Sequence, residues 1–556
     1  MPYHLPLDML YHWEQTRPNA VFLRQPVNDR WITWTWKQTV DEAGRMATHL
    51  RSLNLPPRSN IALLSKNCAH WVLCDLAIMM SGHVSIPLYP NLSAHSIRQI
   101  LEHSEAPVLF VGKLDNWAAM RPGVPDGVQC ISFPAYYGST GYTPWEDIIQ
   151  RHSAPAERAQ RRPGDLMTII YTSGSTGMPK GVMHKYANVA FAATEAVNFV
   201  ELSDQERFFS YLPMAHVGER FLVEMGVLYS GGTVYFSESL EKFAQNLREA
   251  KPTIFLGVHR IWKKFQDGVL ARLPQQKLDR LLRIPLVSNL VRRKIKKGLG
   301  LDQAKWIFTA ASPTPPELIE WYKSVGLRII EGYSMTENFA YSHSNPFDRI
   351  KIGSVGVPLP HNEFRLGEDN EVLVRNPAVM DGYYKDPELT RLAFTNDGFL
   401  RTGDEGRTDA EGYLYITGRT KDIFKTSKGK YVTPSPIEMM LSANSDLEFS
   451  CIVGTSLPQP IALVTLTESA RQKSPDTLRH ELARLLGDIN AELDQHQQLE
   501  KIVVLPGEWS PDNGMLTPTF KIKRREIEQQ YADLYEQWYG EKEMVLFAGG
   551  SRFDHI

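Results

Sequence analysis

Cysteine is scarce: Cys68, Cys74, Cys130 and Cys451 are the only four in 556 residues. They are too few and too scattered for a disulfide framework, and no C-x-x-C pair is present for zinc or redox chemistry. Long apolar runs are absent as well. No stretch of about 18 consecutive apolar residues occurs, and Met1-Pro2-Tyr3-His4 is not a basic segment leading into an apolar one. Neither a membrane-spanning helix nor a secretory leader is therefore expected, and the expected compartment is the reducing cytoplasm. An excess of charge is missing too. Lys and Arg number 61 against 63 Asp and Glu, for a net charge of −2. That balance gives no general attraction to nucleic acid, so no nucleic-acid partner is expected and any basic surface has to be local. Fixed-period repeats and long low-complexity segments are also lacking, and oligomeric state leaves no mark on the pattern.

What is present is an ordinary globular composition, 42% hydrophobic and 22% charged, on a chain long enough for several domain-sized units. Residues 7–165 alternate between strand-like and helix-like patterns. Strands are expected over 31–35, 60–64, 84–87 and 108–111; helices are expected over 38–53 and 69–81, with a third capped by Ser93 and running to residue 103. This βα rhythm predicts an α/β fold of doubly wound, mixed but largely parallel sheets. A polar, glycine-bearing and proline-punctuated stretch, from Gly418-Arg419-Thr420-Lys421-Asp422 to Pro434-Ser435-Pro436, reads as a domain boundary. Beyond it, strands over 448–453, 461–466 and 501–505 and a helix over 476–496 describe a small α+β unit.

One stretch has the composition of a phosphate cradle: Tyr171-Thr172-Ser173-Gly174-Ser175-Thr176-Gly177-Met178-Pro179-Lys180-Gly181. Its glycines let backbone N–H groups approach an anion, its hydroxyls add donors, and Lys180 supplies a compact positive charge. Apolar runs on either side place it between two strands. It is not a Walker A loop, because Pro179 stands where a glycine is required and Gly181 follows the lysine where Ser or Thr would bind Mg²⁺. By composition alone the same stretch is also a flexible Gly/Ser turn.

Further segments carry chemical groups, each with a plainer reading beside the functional one. Tyr211-Leu212-Pro213-Met214-Ala215-His216 sets a histidine among apolar residues, where a hydrogen-bonded core histidine is the commoner case. Residues 252–260, containing Gly257 and Val258, read as a buried strand running into a helix and suit either a pocket wall or a core. Gly332-Tyr333-Ser334-Met335-Thr336-Glu337 follows an expected strand over 327–330 and sets a ring, a hydroxyl and a carboxylate at a strand end; it also reads as a capped helix start. Arg401-Thr402-Gly403-Asp404 is a turn by composition whose carboxylate is suited to ribose hydroxyls. Leu516-Thr517-Pro518-Thr519-Phe520-Lys521 precedes an amphipathic helix, where a lysine opposes the helix dipole. Finally, Arg292, Arg293, Lys294, Lys296 and Lys297 stand beside Leu290, Val291 and Ile295. This basic amphipathic run suits peripheral contact with an anionic membrane or an ordinary solvated face.

Taken in order, these motifs resemble those of the adenylate-forming superfamily of acyl-CoA synthetases, luciferases and peptide-synthetase adenylation domains. The long-chain fatty acyl-CoA synthetases are the closest subgroup by the segments around His216, His259 and Lys521. The resemblance implies an N-terminal adenylation domain over 1–418, a hinge over 419–422 centred on Lys421, and a mobile C-terminal domain over 423–556. It also implies two half-reactions: a fatty carboxylate attacks the α-phosphate of ATP with loss of pyrophosphate, and coenzyme A then takes the acyl group from the adenylate.

Residue by residue, the resemblance implies that Thr172, Ser173, Gly174, Ser175, Thr176, Gly177 and Lys180 hold the β- and γ-phosphates. Thr336 meets the α-phosphate, and Glu337 with Thr176 binds Mg²⁺. Glu331, Gly332 and Tyr333 form the adenine site against Ala311 and Ser312, while Asp404 holds the ribose with Arg419 nearby. Lys521 bridges the reacting carboxylate and the α-phosphate, Ser427, Lys428 and Gly429 meet the pantetheine of coenzyme A, and His216, Gly257 and Val258 line the acyl pocket. Ala310, Ser312, Ser334, His259 and Phe520 depart from the superfamily's usual residues, so no acyl-chain preference is carried over. Two alternatives stand beside this reading: an acyl-adenylating enzyme that passes its product to a carrier protein or another nucleophile, and a catalytically silent lipid-binding scaffold.

Overall fold

The computed structural model describes residues 3–138, 140–172 and 178–549. The chain divides into two units, one of Met1–Ser312, Ile319–Phe364 and Val374–Leu400, the other of Pro313–Leu318, Arg365–Leu373 and Arg401–Ile556.

In the first unit, short β-branched runs too apolar to face water pair into two large sheets with helices packed on them. One sheet has eight strands in the spatial order Gly382–Tyr383, Lys180–Lys185, Leu166–Thr172, Val84–Leu88, Asn60–Leu64, Val108–Val111, Gln129–Ser132 and Thr143–Pro144. Its first two pairings are antiparallel and the remaining five parallel. The other has nine strands, with Ile330–Tyr333, Trp306–Thr309, Ile254–Gly257, Arg207–Ser210, Thr233–Phe236 and Val21–Val27 forming a parallel series. The predicted mixed, doubly wound architecture is thus observed. The helices Trp36–Ser52, Ala69–Ser81 and Ala94–Ser104 lie within a residue or two of expectation, and the Ser93 side chain accepts from the amide of Ser96 as a cap.

The helix Ala69–Ser81 is apolar nearly all round and buried all round from Ala69 to Met80, as such a helix must be. It nevertheless carries Asp75, whose Oδ2 accepts from Arg220 at 2.7 Å with both side chains wholly buried. Arg220 also donates to Glu224 at 3.0 Å and to the Thr168 hydroxyl at 2.7 Å. Burial pushes the Glu224 carboxyl up to about 8 against the pull of Arg220. This network ties the central helix to the strand Leu166–Thr172 through a π-helical turn, Arg220–Met225.

Three further sheets are seen among the described residues, the first with strands that cross the bounds between the units and the other two within the second unit. Glu363–Leu366, Glu371–Arg375, Leu400–Thr408 and Leu414–Arg419 form one; Phe424–Lys425 and Tyr431–Val432 form a hairpin. Leu447–Val453, Ile461–Leu466, Ile502–Val504 and Val545–Phe547 form the third, with the helix Pro475–Glu492 burying Leu478, Leu482, Leu486 and Ile489 beside it.

Two expectations change here. Arg401–Asp404 is not a turn but part of the strand Leu400–Thr408, because Thr402 Oγ1 donates to Val372 O at 2.7 Å and Gly403 absorbs the irregularity at φ +69°. The strand expected over 327–330 is instead Ile330–Tyr333, so the ring-and-carboxylate segment begins inside the sheet, held by pairing with His343–Ser344.

Candidate active site

The glycine-rich stretch joins two adjacent antiparallel strands, as its flanks predict. Thr172 closes the first and Lys180 opens the second, and the two are register partners. Ser173, Gly174, Ser175, Thr176 and Gly177 lie outside the described residues. Lys180 Nζ stands 5.6 Å from the ring centroid of Tyr383, and Tyr383 Oη donates to Glu337 Oε1 at 2.8 Å. Burial, and the Glu337 carboxylate beside it, hold the Tyr383 phenol well above its ordinary range, so it remains a neutral donor. The amide of Met380 donates to Glu337 O at 2.7 Å. Through the edge strand Gly382–Tyr383, a lysine and a carboxylate more than 150 residues apart thus flank one phenol. Tyr383 was not singled out from the sequence, because nothing in Asp381-Gly382-Tyr383-Tyr384 marks it apart from any aromatic edge strand.

Thr336 and Glu337 occupy a short 3₁₀ turn, Thr336–Asn338. Its first carbonyl is fixed from below: His184 Nε2 donates to Thr336 O at 2.8 Å. His184 lies on the same strand as Lys180, four residues on and so on the same face. Burial pushes its imidazole down to about 4, which keeps it neutral with the proton on Nε2. Its other nitrogen, Nδ1, is buried without a hydrogen-bond partner. Gly332 and Tyr333 pair with Ser344 and His343, and the Tyr333 and His343 rings lie 6.2 Å apart. Burial pushes the Glu331 carboxyl up to about 7, opposed by the amide of Gly353 at 3.0 Å. Ala311, beside Ser312 just past the strand Trp306–Thr309, has φ +72°, left-handed backbone in which a side chain is strained.

His216 caps the short helix Val217–Glu219: its Nδ1 accepts from the amide of Gly218 at 3.0 Å, which leaves the proton on Nε2. The loop before it is held by Asn67, which donates to Leu212 O at 2.5 Å and accepts from the amide of Met214 at 3.2 Å. Glu219 gathers Asn67, Ser210 and the amide of Tyr211 within 3.2 Å; burial nevertheless pushes its carboxyl up to about 8. Asn67 escaped the sequence reading because it is a buried donor and acceptor for a loop 145 residues away, and Glu219, three positions after His216, carried no assigned role there. Gly257 ends its strand beneath Trp262, where a Cβ would come within 2.4 Å of the indole, and Val258 precedes the helix His259–Leu270. Gly257 therefore packs under an indole; the aromatic wall continues with Tyr211 stacked on Phe255 at 5.6 Å.

Within the second unit, Asp404 is largely buried and its Oδ1 accepts from Arg419 Nε at 2.9 Å, the two being register partners on neighbouring strands. Lys421 follows in a turn closed by Asp422 N donating to Arg419 O. Two tight turns then share one design. In Thr426–Lys430 the Thr426 amide donates to Lys430 O at 2.9 Å, Lys430 N donates to the Thr426 hydroxyl at 3.3 Å, and Gly429 is left-handed at φ +77°. In Thr517–Lys521 the corresponding distances are 2.8 and 3.0 Å, and the left-handed position, φ +59°, is taken by Phe520. Ser427 and Lys428 lie at the tip of the first turn, and exposed Lys521 ends the second.

Two surface cavities, about 410 Å³ beside Arg161 and Tyr186 and about 570 Å³ beside Phe191 and His361, contain none of the expected site residues. Among the described residues, no group of three or more His, Cys, Asp or Glu is gathered to hold a metal ion, and no helix is long and apolar enough to cross a membrane.

The model of the AMP-binding enzyme family matches residues 10–384, and that of the AMP-binding enzyme C-terminal domain matches 421–543. A protein of Mycobacterium bovis named long-chain-fatty-acid–CoA ligase FadD15 is 29% identical over 96% of this chain and 97% of its own. Long chain acyl-CoA synthetase 2 of Arabidopsis thaliana is 26% identical over 97% of this chain and 93% of its own. Among solved structures, the anthranilate CoA ligase AuaEII bound to anthranoyl-AMP superposes with a TM-score of 0.79 at 22% identity, covering 97% of this chain and 99% of that one. The adenylation domain of a carboxylate reductase from Mycobacterium chelonae superposes with a TM-score of 0.81 at 21% identity, covering 97% and 92%. These two likenesses show the fold.

Proposed function

The chain belongs to the AMP-binding enzyme family, and from that premise we propose that it is an acid–thiol ligase joining a medium- to long-chain fatty acid to coenzyme A at the expense of ATP. Full-length similarity to proteins named long-chain fatty acyl-CoA ligases supports the substrate class. The observation that carries the site is the line Thr172, Lys180, Tyr383, Glu337: a cation and a carboxylate fixed beside the two strand ends that flank a hydroxyl-rich stretch.

The chemistry needs no protein nucleophile. A fatty carboxylate is ionised at neutral pH, and the adenylate is itself the activated species. In the first half-reaction a carboxylate oxygen bonds to the α-phosphorus, the bond to the β-phosphate oxygen breaks, and pyrophosphate leaves. In the second, the thiol sulfur attacks the acyl carbon, AMP leaves, and the thiol proton passes to solvent. The obstacle is repulsion between anions, which fixed donors and cations relieve. Thr172, Lys180 and the stretch 173–177 are assigned to the β- and γ-phosphates, and Thr336, its peptide pinned by His184, to the α-phosphate. Tyr333, Gly332 and Glu331 with Ala311 and Ser312 are assigned to adenine, Asp404 and Arg419 to the ribose, and His216, Gly257 and Val258 to the acyl chain. Mg²⁺ would neutralise phosphate charge. Glu337 fits it and would hold it with Thr176, because Mg²⁺ takes one or two protein oxygens and completes its shell with water and phosphate rather than needing a cluster of acids; Thr176 itself lies outside the described residues. Residues 423–556 are proposed to turn about Lys421 between the half-reactions, withdrawing Lys521 and presenting Ser427, Lys428 and Gly429 to pantetheine.

Pyrophosphate exchange and AMP release, measured across a panel of carboxylic acids with and without coenzyme A, test this reading. Exchange with fatty acids and thioester only with coenzyme A is expected; no exchange with any acid refutes it, and exchange without thioester transfers the product to a carrier protein instead. Gly429→Trp sharpens the second step. The nearest atom to a Cβ there is Lys425 Cε at 3.8 Å, so the side chain has room, although the left-handed backbone adds strain. Exchange is expected to survive in this variant and thioester formation to fall; an intact thioester rate would put the pantetheine path elsewhere.

A further inference from the structure

Between Gln275 and Gly300 stand eight lysines and arginines and a single acid, Asp279, in a chain whose net charge is −2. The segment folds as two helices, Gln275–Leu282 and Pro285–Leu299. The second helix has a clear inner face. Ser288 and Ile295 are buried on it, and Arg292 is turned inward as well, its Nε donating to Ser324 O at 2.9 Å. The outer face is of a different kind. Leu286 is 83% exposed and Leu290 68% exposed. At helical steps of three and four residues the same face continues with Arg293, Lys294 and Lys297, all exposed, while exposed Arg283 and Ile284 stand just before the helix.

Isolated exposed leucines are unremarkable on a protein surface, but here two share one helix face and are followed by cations with no acid from Arg280 to Gly300. That arrangement has one natural complement. A bilayer with anionic headgroups offers phosphate oxygens to the cations and, a few ångströms deeper, apolar volume to the leucines, without requiring shape complementarity. We propose that the face formed by Leu286, Leu290, Arg293, Lys294 and Lys297, with Arg283 and Ile284 at its edge, docks on an anionic lipid surface with the helix parallel to the membrane. Arg292, which the charge run alone would include, takes no part because it is bonded inward. The proposal stands on the surface chemistry and does not depend on the ligase reading.

Co-sedimentation of the full chain with vesicles tests it. Phosphatidylcholine vesicles containing phosphatidylglycerol are expected to pellet the protein, pure phosphatidylcholine vesicles are not, and high salt is expected to release it. Replacing Arg293, Lys294 and Lys297 together by Gln should lower the partition coefficient about fivefold per cation, about 100-fold in all. Leu286→Ser with Leu290→Ser should lower it at least tenfold, and Arg292→Gln should leave it unchanged. All the outward positions are exposed, so an unchanged Tm is expected in those variants and separates lost docking from lost fold. Equal pelleting with neutral vesicles, or unimpaired pelleting of the outward variants, overturns the proposal. So does a monomer–dimer equilibrium abolished by the Leu286 and Leu290 replacements, which would give the face to a second copy of the chain.

Discussion

The candidate residues of the two units are held in opposite ways. In the first unit Lys180, Thr336, Glu337 and the loop before His216 depend on partners far away in the chain: Tyr383, His184 and Asn67. In the second, Gly429 and Lys521 sit in five-residue turns closed almost entirely by their own threonine and backbone. Side chains of the first kind are fixed by the sheet and move only with it. Those of the second kind are presented at the surface as local fixtures. Candidate groups on self-contained turns keep their local geometry wherever the unit lies, whereas those of the first unit are inseparable from its core.

Mutations that touch only one side should sharpen this contrast, beginning with the largest effect. Lys521→Ala is expected to lower adenylation by about 10²–10³-fold while leaving conversion of supplied acyl-adenylate to thioester, and the thermal midpoint, unchanged. Equal loss in both half-reactions would mean that the turn also serves the second step. Arg220→Met strikes the other side. It leaves Asp75 buried without its partner, and urea unfolding should show a loss of about 3–5 kcal/mol, with both half-reactions declining together. Replacing Asp75 and Glu224 by apolar residues in the same variant should recover much of that loss; failure to recover would show that the network is not isolated from its surroundings.

A pH experiment separates the two kinds of site more finely. His184 is held near 4 in the folded protein by burial, below the value of about 6.5 of an exposed histidine. The unfolded chain therefore binds an extra proton between those values. Stability from this group is fully present above about pH 6.5 and is lost, by about 3 kcal/mol, as the pH falls to about 4. The difference in stability between the protein and His184→Asn should shrink across that window; a constant difference would mean that His184 does not stay neutral. The smallest effect is expected in the second unit. Phe520 occupies the left-handed position that Gly429 fills in the sister turn, so Phe520→Gly should raise stability by about 1 kcal/mol. If pyrophosphate exchange falls as stability rises, the aromatic ring itself contributes to the reaction.

Much of the fold was legible because it rests on periodicity and short-range chemistry. The strands Asn60–Leu64 and Ile461–Leu466 and the helix Ala69–Ser81 follow directly from their apolar patterns. The Arg401–Asp404 strand was not legible, since its composition is that of a turn and a hydroxyl bonded to Val372, 30 residues back, decides otherwise. Tyr383, His184 and Asn67 were invisible for a related reason. Each is an ordinary residue in its own segment and gains meaning only from a partner brought beside it.

By itself, then, the sequence determined the sheet-and-helix order and the segments that carry candidate nucleotide-binding groups, because these depend on residues within a few positions of one another. Only the tertiary structure decided that a phenol joins Lys180 to Glu337, that a neutral histidine pins Thr336, and that Arg292 faces inward while Leu286 and Leu290 face water. Those outcomes depend on strand register and on which helix face finds a neighbour, and both are set by packing over the whole unit.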